Sequence, residues 1–185
     1  TIGMHNIRNV AASIAVSSSV GISEKIIKKA LLEFEGVQRR FTKIFSFKNV
    51  SFYDDYAHHP TEIREVINGI SEVYKEKKII CIFQPHRISR LKTLRKEFSH
   101  AFKKVDTVVL CPVFKAGENI KLGFKYSNFA KEIINNSKVK LILIKNELDL
   151  AKFTKQNIYG QQLVVGMGAG SISSWIRNLP KVLQK

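Results

Sequence analysis

Residues 6 to 19, "NIRNVAASIAVSSS", set apolar and small side chains at helical spacing. Ser23 then reads as the N-cap of a second helix, "EKIIKKALLEF", which Gly36 stops. A short basic link, "GVQRRF", follows this helical pair, and from about Lys43 the rhythm changes. "KIFSF" and "VSFYDDY" read as a strand pair. Pro60 opens a helix in its first turn, where a missing N–H costs nothing. Beyond it apolar runs and amphipathic stretches alternate. "KKIICIF", "DTVVLCPV", "KVKLILI" and "QQLVVGMG" are expected to be strands, and "SRLKTLRKEFSHAF", "NFAKEIINN", "ELDLAKFT" and "SISSWIRNL" helices.

Strands that are apolar throughout, alternating with helices, predict an α/β fold: a mostly parallel sheet with helices on both faces. It follows a short helical segment, with the boundary at residue 42 or 43. Functional side chains in such sheets gather in the loops at the carboxyl ends of the strands. The polar-rich junctions "DDYAHHP", "QPHRISR" and "GMGAGS" all fall there.

Composition narrows the function only a little. With 44% hydrophobic and 25% charged residues over 185 positions the chain reads as globular and soluble. No apolar run approaches the ~18 residues of a membrane span. A chain that opens at Thr1, without an initiator Met or the layout of a signal peptide, reads as a piece of something longer. Cys81 and Cys111 sit in apolar runs and read as buried thiols. The net charge of +16 invites a nucleic-acid reading, but the lysines are scattered ("KIIKK", "KEKK", "KVK") instead of gathered on one element. A site for nucleotide anions would be served equally well, so neither nucleic acid nor membrane is expected as a partner.

Each junction has a functional and a plain structural reading. His58 and His59, with Asp54 or Asp55, could ligate a metal, yet adjacent residues of an extended chain point to opposite sides. The loop could also satisfy its own polar groups, or its strand-end carboxylate could take the hydroxyl pair of a ribose. In "QPHRISR", Arg87 and Arg90 share a face if the helix begins by Arg87, and two guanidinium forks suit a carboxylate or phosphate. A solvated basic helix start is the alternative. "GMGAGS" matches a phosphate-cradling glycine loop, but it follows the last strand and has no acid ~20 residues on, so a tight turn without ligand fits as well. In "HNIRN", Asn6 and Asn9 lie three apart on one helical face and could pair with adenine, with His5 packing on the base; an ordinary helix surface would use the same residues. Arg39 and Arg40 are phosphate contacts or a solvated linker. Neither a G-x-x-x-x-G-K-[ST] loop nor a G-x-S-x-G elbow occurs.

Taken in order, "G-x-HN-x-x-N", "GVQRRF", "DDYAHHPTEI", "QPHRISR" and "GAGSI" resemble the C-terminal part of the Mur ligases. Within that family they are most similar to the member that joins L-alanine to UDP-N-acetylmuramate in peptidoglycan biosynthesis. Ile88 departs from the family's usual Tyr. The resemblance implies that residues 1–42 end a central ATP-binding domain and that 43–185 form a Rossmann-like C-terminal domain. It implies an ATP-dependent, cytoplasmic amide-forming ligase working through an acyl phosphate. His58, Arg87 and Arg90 would be catalytic, and Tyr56, His58, His86, Arg87 and Arg90 would hold the amino acid. His5, Asn6, Asn9, Arg40 and Asp55 would bind ATP. Most Mg2+ ligands would lie in the part not present, and this chain would contribute none. Without a P-loop the chain alone is expected to be inactive and to need a chain that supplies the other domains. The rival readings are a nucleotide-binding remnant or subunit of a split ligase, a metal-dependent hydrolase on the Asp/His cluster, and a basic nucleic-acid-binding domain.

Overall fold

The structure is a computed structural model that describes residues 4–34 and 36–184, without the side chains of Met4 and His5. The adenine contact expected of the His5 side chain, and Gly3 of the same motif, lie outside the described residues.

The helical pair forms as the pattern predicts, α1 over Met4–Ser19 and α2 over Glu24–Glu33. Helix α1 ends in a Schellman turn: Ile22 N–H donates to Ser17 O at 3.1 Å and Gly21 N–H to Ser18 O at 3.0 Å, with Gly21 at φ 84°. Ser23 occupies the N-cap of α2, although its side chain makes no capping bond. The helix stops at Glu33, and Gly36, at φ 97°, turns the chain into the linker.

Strands β1 (Thr42–Phe47) and β2 (Val50–Asp55) form an antiparallel hairpin. Its loop is Lys48–Asn49, at φ 47° and 64°, the positive pair that matches the twist of the flanking strands. The remaining elements are α3 (Pro60–Val73), β3 (Lys78–Phe83), α4 (Ile88–Thr93), α5 (Arg95–Ser99) and β4 (Thr107–Leu110). After these come α6 (Tyr126–Ser137), β5 (Lys140–Leu143), α7 (Glu147–Asn157), β6 (Gln162–Met167) and α8 (Ile172–Leu183). The six strands lie in the order β1-β2-β6-β3-β4-β5, parallel except for β1. The last strand thus inserts at the centre, between β2 and β3. Met167 aligns with both Asp55 and Phe83, so the segments leaving these three strands emerge side by side.

Period-two alternation divides the core. Ile79, Cys81, Phe83, Leu163 and Val165 pack against α3, α5 and α6, while Ile80, Ile82, Val164 and Phe52 pack against α7 and α8. Cys81 and Cys111 are free, buried on opposite faces, and burial pushes both thiols well above their ordinary range. Among the described residues no helix is long and apolar enough to cross a membrane.

Two expectations need correction. "SRLKTLRKEFSHAF" is not one helix, because it breaks at Leu94 (φ −106°, ψ 23°) into α4 and α5. Leu91, Phe98 and Phe102 are all buried on one core face, a spacing that suits a straight helix equally, so the break has no signal in the pattern. Nor does the helix begin by Arg87. Arg87 N–H donates to Phe114 O and Phe114 N–H to Pro85 O, each at 2.8 Å, which pins 85–87 to the segment at Phe114 and delays the helix until Ile88. Arg87 takes φ 69° as the N-cap and does not share a helical face with Arg90.

Candidate functional site

The two acids that end β2 are both buried and both bonded within the fold. Asp55 is buried; its Oδ1 accepts Ala57 N–H and its Oδ2 accepts Phe41 N–H, both at 2.8 Å. Burial raises its pKa, opposed by those two N–H groups and by the nearby Arg40 guanidinium. The carboxylate expected to meet a ribose ties the linker to the strand end. Asp54, fully buried on the α8 side, accepts from Ser173 Oγ at 2.5 Å and from Arg177 Nη2 at 3.3 Å.

Of the adjacent histidines, His59 is spent on α3. It is the N-cap, its side chain accepting Thr61 N–H, while Glu62 takes His58 N–H at 3.0 Å and His59 N–H at 3.2 Å, completing a capping box. Burial pushes Glu62 up, but those N–H groups and His58 outweigh it and its pKa falls below the ordinary value. His58 stays available. Its Nδ1 lies 2.8 Å from the Tyr56 carbonyl oxygen, which only accepts, so Nδ1 carries the hydrogen and neutral His58 presents Nε2 as an acceptor.

Past β3, His86 faces His58 with ring centroids 5.7 Å apart, and it stacks on Phe114 at 5.6 Å. Arg90 Nη1 approaches His86 Nδ1 at 3.4 Å. A guanidinium only donates, so His86 keeps its proton on Nε2 and offers a donor there. Burial, then Arg90, His58 and Arg87, lower the pKa of His86, so its neutral form is favoured. Tyr56 stands edge-on to His58 at 5.0 Å. Two imidazoles of opposite hydrogen-bonding sense thus meet beside one guanidinium. That set can hold an amine, a carboxylate and a polarised oxygen together. Arg87 is exposed, though its charge acts on His86.

The glycine turn past β6 is closed by protein groups. Gln84, buried, accepts Ile172 N–H on Oε1 at 3.0 Å and donates to Ser171 Oγ at 3.0 Å, so its amide occupies the start of α8. A Cβ at Gly168 would come within 2.8 Å of Gln84 O, and one at Gly170 within 2.5 Å of Phe114 Cγ. The glycines serve close packing, which is the tight-turn reading of this motif.

Asn6, Asn9 and Arg40 do come together. They line a groove of about 540 Å³ between α1, α2 and the linker, with Val10, Ile27 and Phe34 among its apolar walls. Among the described residues no group of three His, Cys, Asp or Glu side chains converges on a metal position. Sequence reasoning missed Gln84, Phe114 and Glu118, whose carboxylate binds the Ser89 N–H and hydroxyl at the start of α4. Glu62, three residues after His59, was the readable sign that His59 is a cap.

A model of the Mur ligase glutamate ligase domain matches residues 39–170. The UDP-N-acetylmuramate–L-alanine ligase of Pelagibacter ubique is 63% identical over 182 residues, 98% of this chain and 39% of that protein. The ligase of the same name from Bartonella bacilliformis is 39% identical over 181 residues, 98% of this chain and 38% of its own length. The crystal structure of UDP-N-acetylmuramate-alanine ligase MurC from Thermotoga maritima superposes on the whole chain with a TM-score of 0.79 at 29% identity, using 39% of that protein. The chain therefore spans about 39% of the length of the relatives it matches.

Proposed function

The chain belongs to the Mur ligase family, and on that premise we propose that it is the C-terminal part of an ATP-dependent ligase joining L-alanine to UDP-N-acetylmuramate for peptidoglycan. The observation that carries this reading is the convergence of Tyr56, His58, His86 and Arg90 at the ends of β2 and β3, beside the central strand β6. Ligands of open parallel sheets bind where such a strand order reverses.

In the proposed reaction the γ-phosphoryl of ATP moves to the sugar's carboxylate: an O–P bond forms and the bond to ADP breaks. The alanine amine then attacks the acyl carbon, the C–N bond forms, inorganic phosphate leaves with the C–O electron pair, and the amine gives up a proton. Arg90 takes the alanine carboxylate by charge-assisted hydrogen bonds, which fixes the approach of the amine without neutralising it. Nε2 of His58 accepts from the amine and orients it. The Nε2–H of His86 donates to the oxygen on which charge develops. Arg87, exposed beside this set, joins in holding the alanine and the reacting oxygens when the domains close. Asn6, Asn9 and Arg40 hold the adenine end of ATP along their groove.

Among the described residues no three His, Cys, Asp or Glu side chains gather as a metal site, and in this reading Mg2+ and the P-loop are supplied by the part that completes the ligase. The chain alone is inactive in this reading, and the enzyme is cytoplasmic. The test is Arg90→Ala in a ligase carrying this C-terminal part. Losing a charge-assisted hydrogen bond of roughly 1.5–3 kcal/mol raises the KM for L-alanine about ten- to a hundredfold, with the KM for ATP nearly unmoved. An unchanged alanine KM removes Arg90 from the pocket.

A further inference from the structure

The linker is held more tightly than a hinge requires. Arg39 and Phe41 take left-handed backbone, at φ 58° and 50°, a state that persists only where the surroundings enforce it. Phe41 is fixed by its N–H on Asp55 at 2.8 Å and by its ring stacked 4.0 Å from that of Tyr53. Arg39 is fixed from several sides. Its Nη2 donates to Gly168 O at 2.6 Å, and its carbonyl accepts Tyr56 N–H at 2.8 Å. Its guanidinium carbon lies 4.7 Å from the centre of the Tyr56 ring, and its Nε lies 3.7 Å from Asp54 Oδ2. The Arg39 Nε and Asp54 Oδ1 are buried without hydrogen-bond partners among the described residues, so the charge pairing of Arg39 with the Asp54 carboxylate, which Arg177 shares, offsets part of their loss of water.

We propose that Arg39 is a positioning residue that latches residues 39–41 onto the ends of β2 and β6 and holds the Tyr56 ring in place, so that this part of the linker moves with the sheet unit. One guanidinium joins the linker, the buried acid of β2, the turn after β6 and an aromatic ring of the candidate site. Lysine, a point charge, cannot span those acceptors as a planar fork does. The catalytic meaning of the latch rests on the reading of Tyr56 as part of the alanine pocket; the latch itself does not.

The experiment is residue-resolved amide exchange by NMR on this chain, comparing Arg39→Met and Arg39→Lys with the parent. The amides of Phe41 and Tyr56 are expected to exchange at least about tenfold faster in Arg39→Met, a loss worth 1.4 kcal/mol of local protection, while those of Ile82 and Val164 keep theirs. The ring signals of Tyr56 move toward those of a solvated tyrosine, and Arg39→Lys recovers part of both effects. Parent-like exchange at Phe41 and Tyr56 with unmoved Tyr56 ring signals overturns the proposal. Should Arg39→Met fail to fold, Arg39→Lys decides on the same amides, with parent-like values again overturning it. In a complete ligase, Arg39→Met raises the KM for L-alanine more than it lowers kcat. Faster exchange with an unchanged alanine KM keeps the latch and removes Tyr56 from the pocket.

Discussion

His58 and His86 carry the same ring and face the same space, yet their neighbours set them in opposite senses. A carbonyl oxygen fixes the proton of one on Nδ1, and a guanidinium fixes the proton of the other on Nε2. His86 titrates below its ordinary 6.5, first through burial and then through Arg90, His58 and Arg87. The sign follows from linkage. Above pH 6.5 both folded and unfolded chains hold His86 neutral and its contribution to stability is complete. As the pH falls, the unfolded chain binds the proton first, and that contribution is lost down through the lower folded pKa. An NMR titration of the His86 ring should find its midpoint below 6.5, and Arg90→Ala should move it upward by removing one of the opposing charges. A midpoint at or above 6.5 in the parent contradicts this environment. The sequence placed His58, His86 and Arg90 near one another because strand ends can be read from apolar runs. It could not show that the helix starts only at Ile88, since the hydrogen bond from Arg87 N–H to Phe114 O is a contact between distant parts of the chain that no local pattern encodes.

At the scale of elements, the approach of α8 to the sheet is set by a missing side chain. A Cβ on Gly166 would lie 1.8 Å from Ile176 Cδ1, so the helix packs where only glycine fits. Gly166→Ala should cost about 1–3 kcal/mol by overpacking. Ile176→Val removes the clashing methyl at about 0.5–1.5 kcal/mol on its own. Urea unfolding should show the double variant clearly more stable than the sum of the single losses; strict additivity would show that the two positions do not press on one another. Gln84→Ala strips the acceptor from a buried N–H at the start of α8 and should cost about 1–3 kcal/mol in the same assay, a loss near zero being the contrary result. The alternation of strands and helices was legible because buried parallel strands leave unbroken apolar runs. Strand order was not. "KLIL" and "QLVVGM" look alike as apolar runs, yet β5 is an edge strand with Leu143 48% exposed, and β6 is the buried centre. What separates them is Gly166, whose helix contact becomes visible only in three dimensions.

For the whole molecule, the strand order gathers the chemistry. Inserting β6 between β2 and β3 puts three strand ends side by side, and the linker arrives at the same edge, tied down through Asp54 and Asp55. The adjacent acids, readable from sequence only as candidate ligands, serve the architecture that presents Tyr56 and His58. The groove of α1 and α2 brings Asn6, Asn9 and Arg40 together on the helical side of that linker, and Arg40 is close enough to Asp55 to oppose the rise that burial gives its pKa. A nucleotide on one side and an amino acid on the other is the arrangement that the proposed ligase needs. The measurement that tests it most directly is a graft: this chain replaces the corresponding C-terminal part of the Pelagibacter ubique ligase, and phosphate release is followed with UDP-N-acetylmuramate and ATP as L-alanine is varied. The proposal predicts saturable, alanine-dependent turnover within about tenfold of the parent, a difference of ~1.4 kcal/mol in the barrier, abolished or shifted to high alanine by Arg90→Ala. A folded graft that binds ATP but releases no phosphate in response to L-alanine would contradict it.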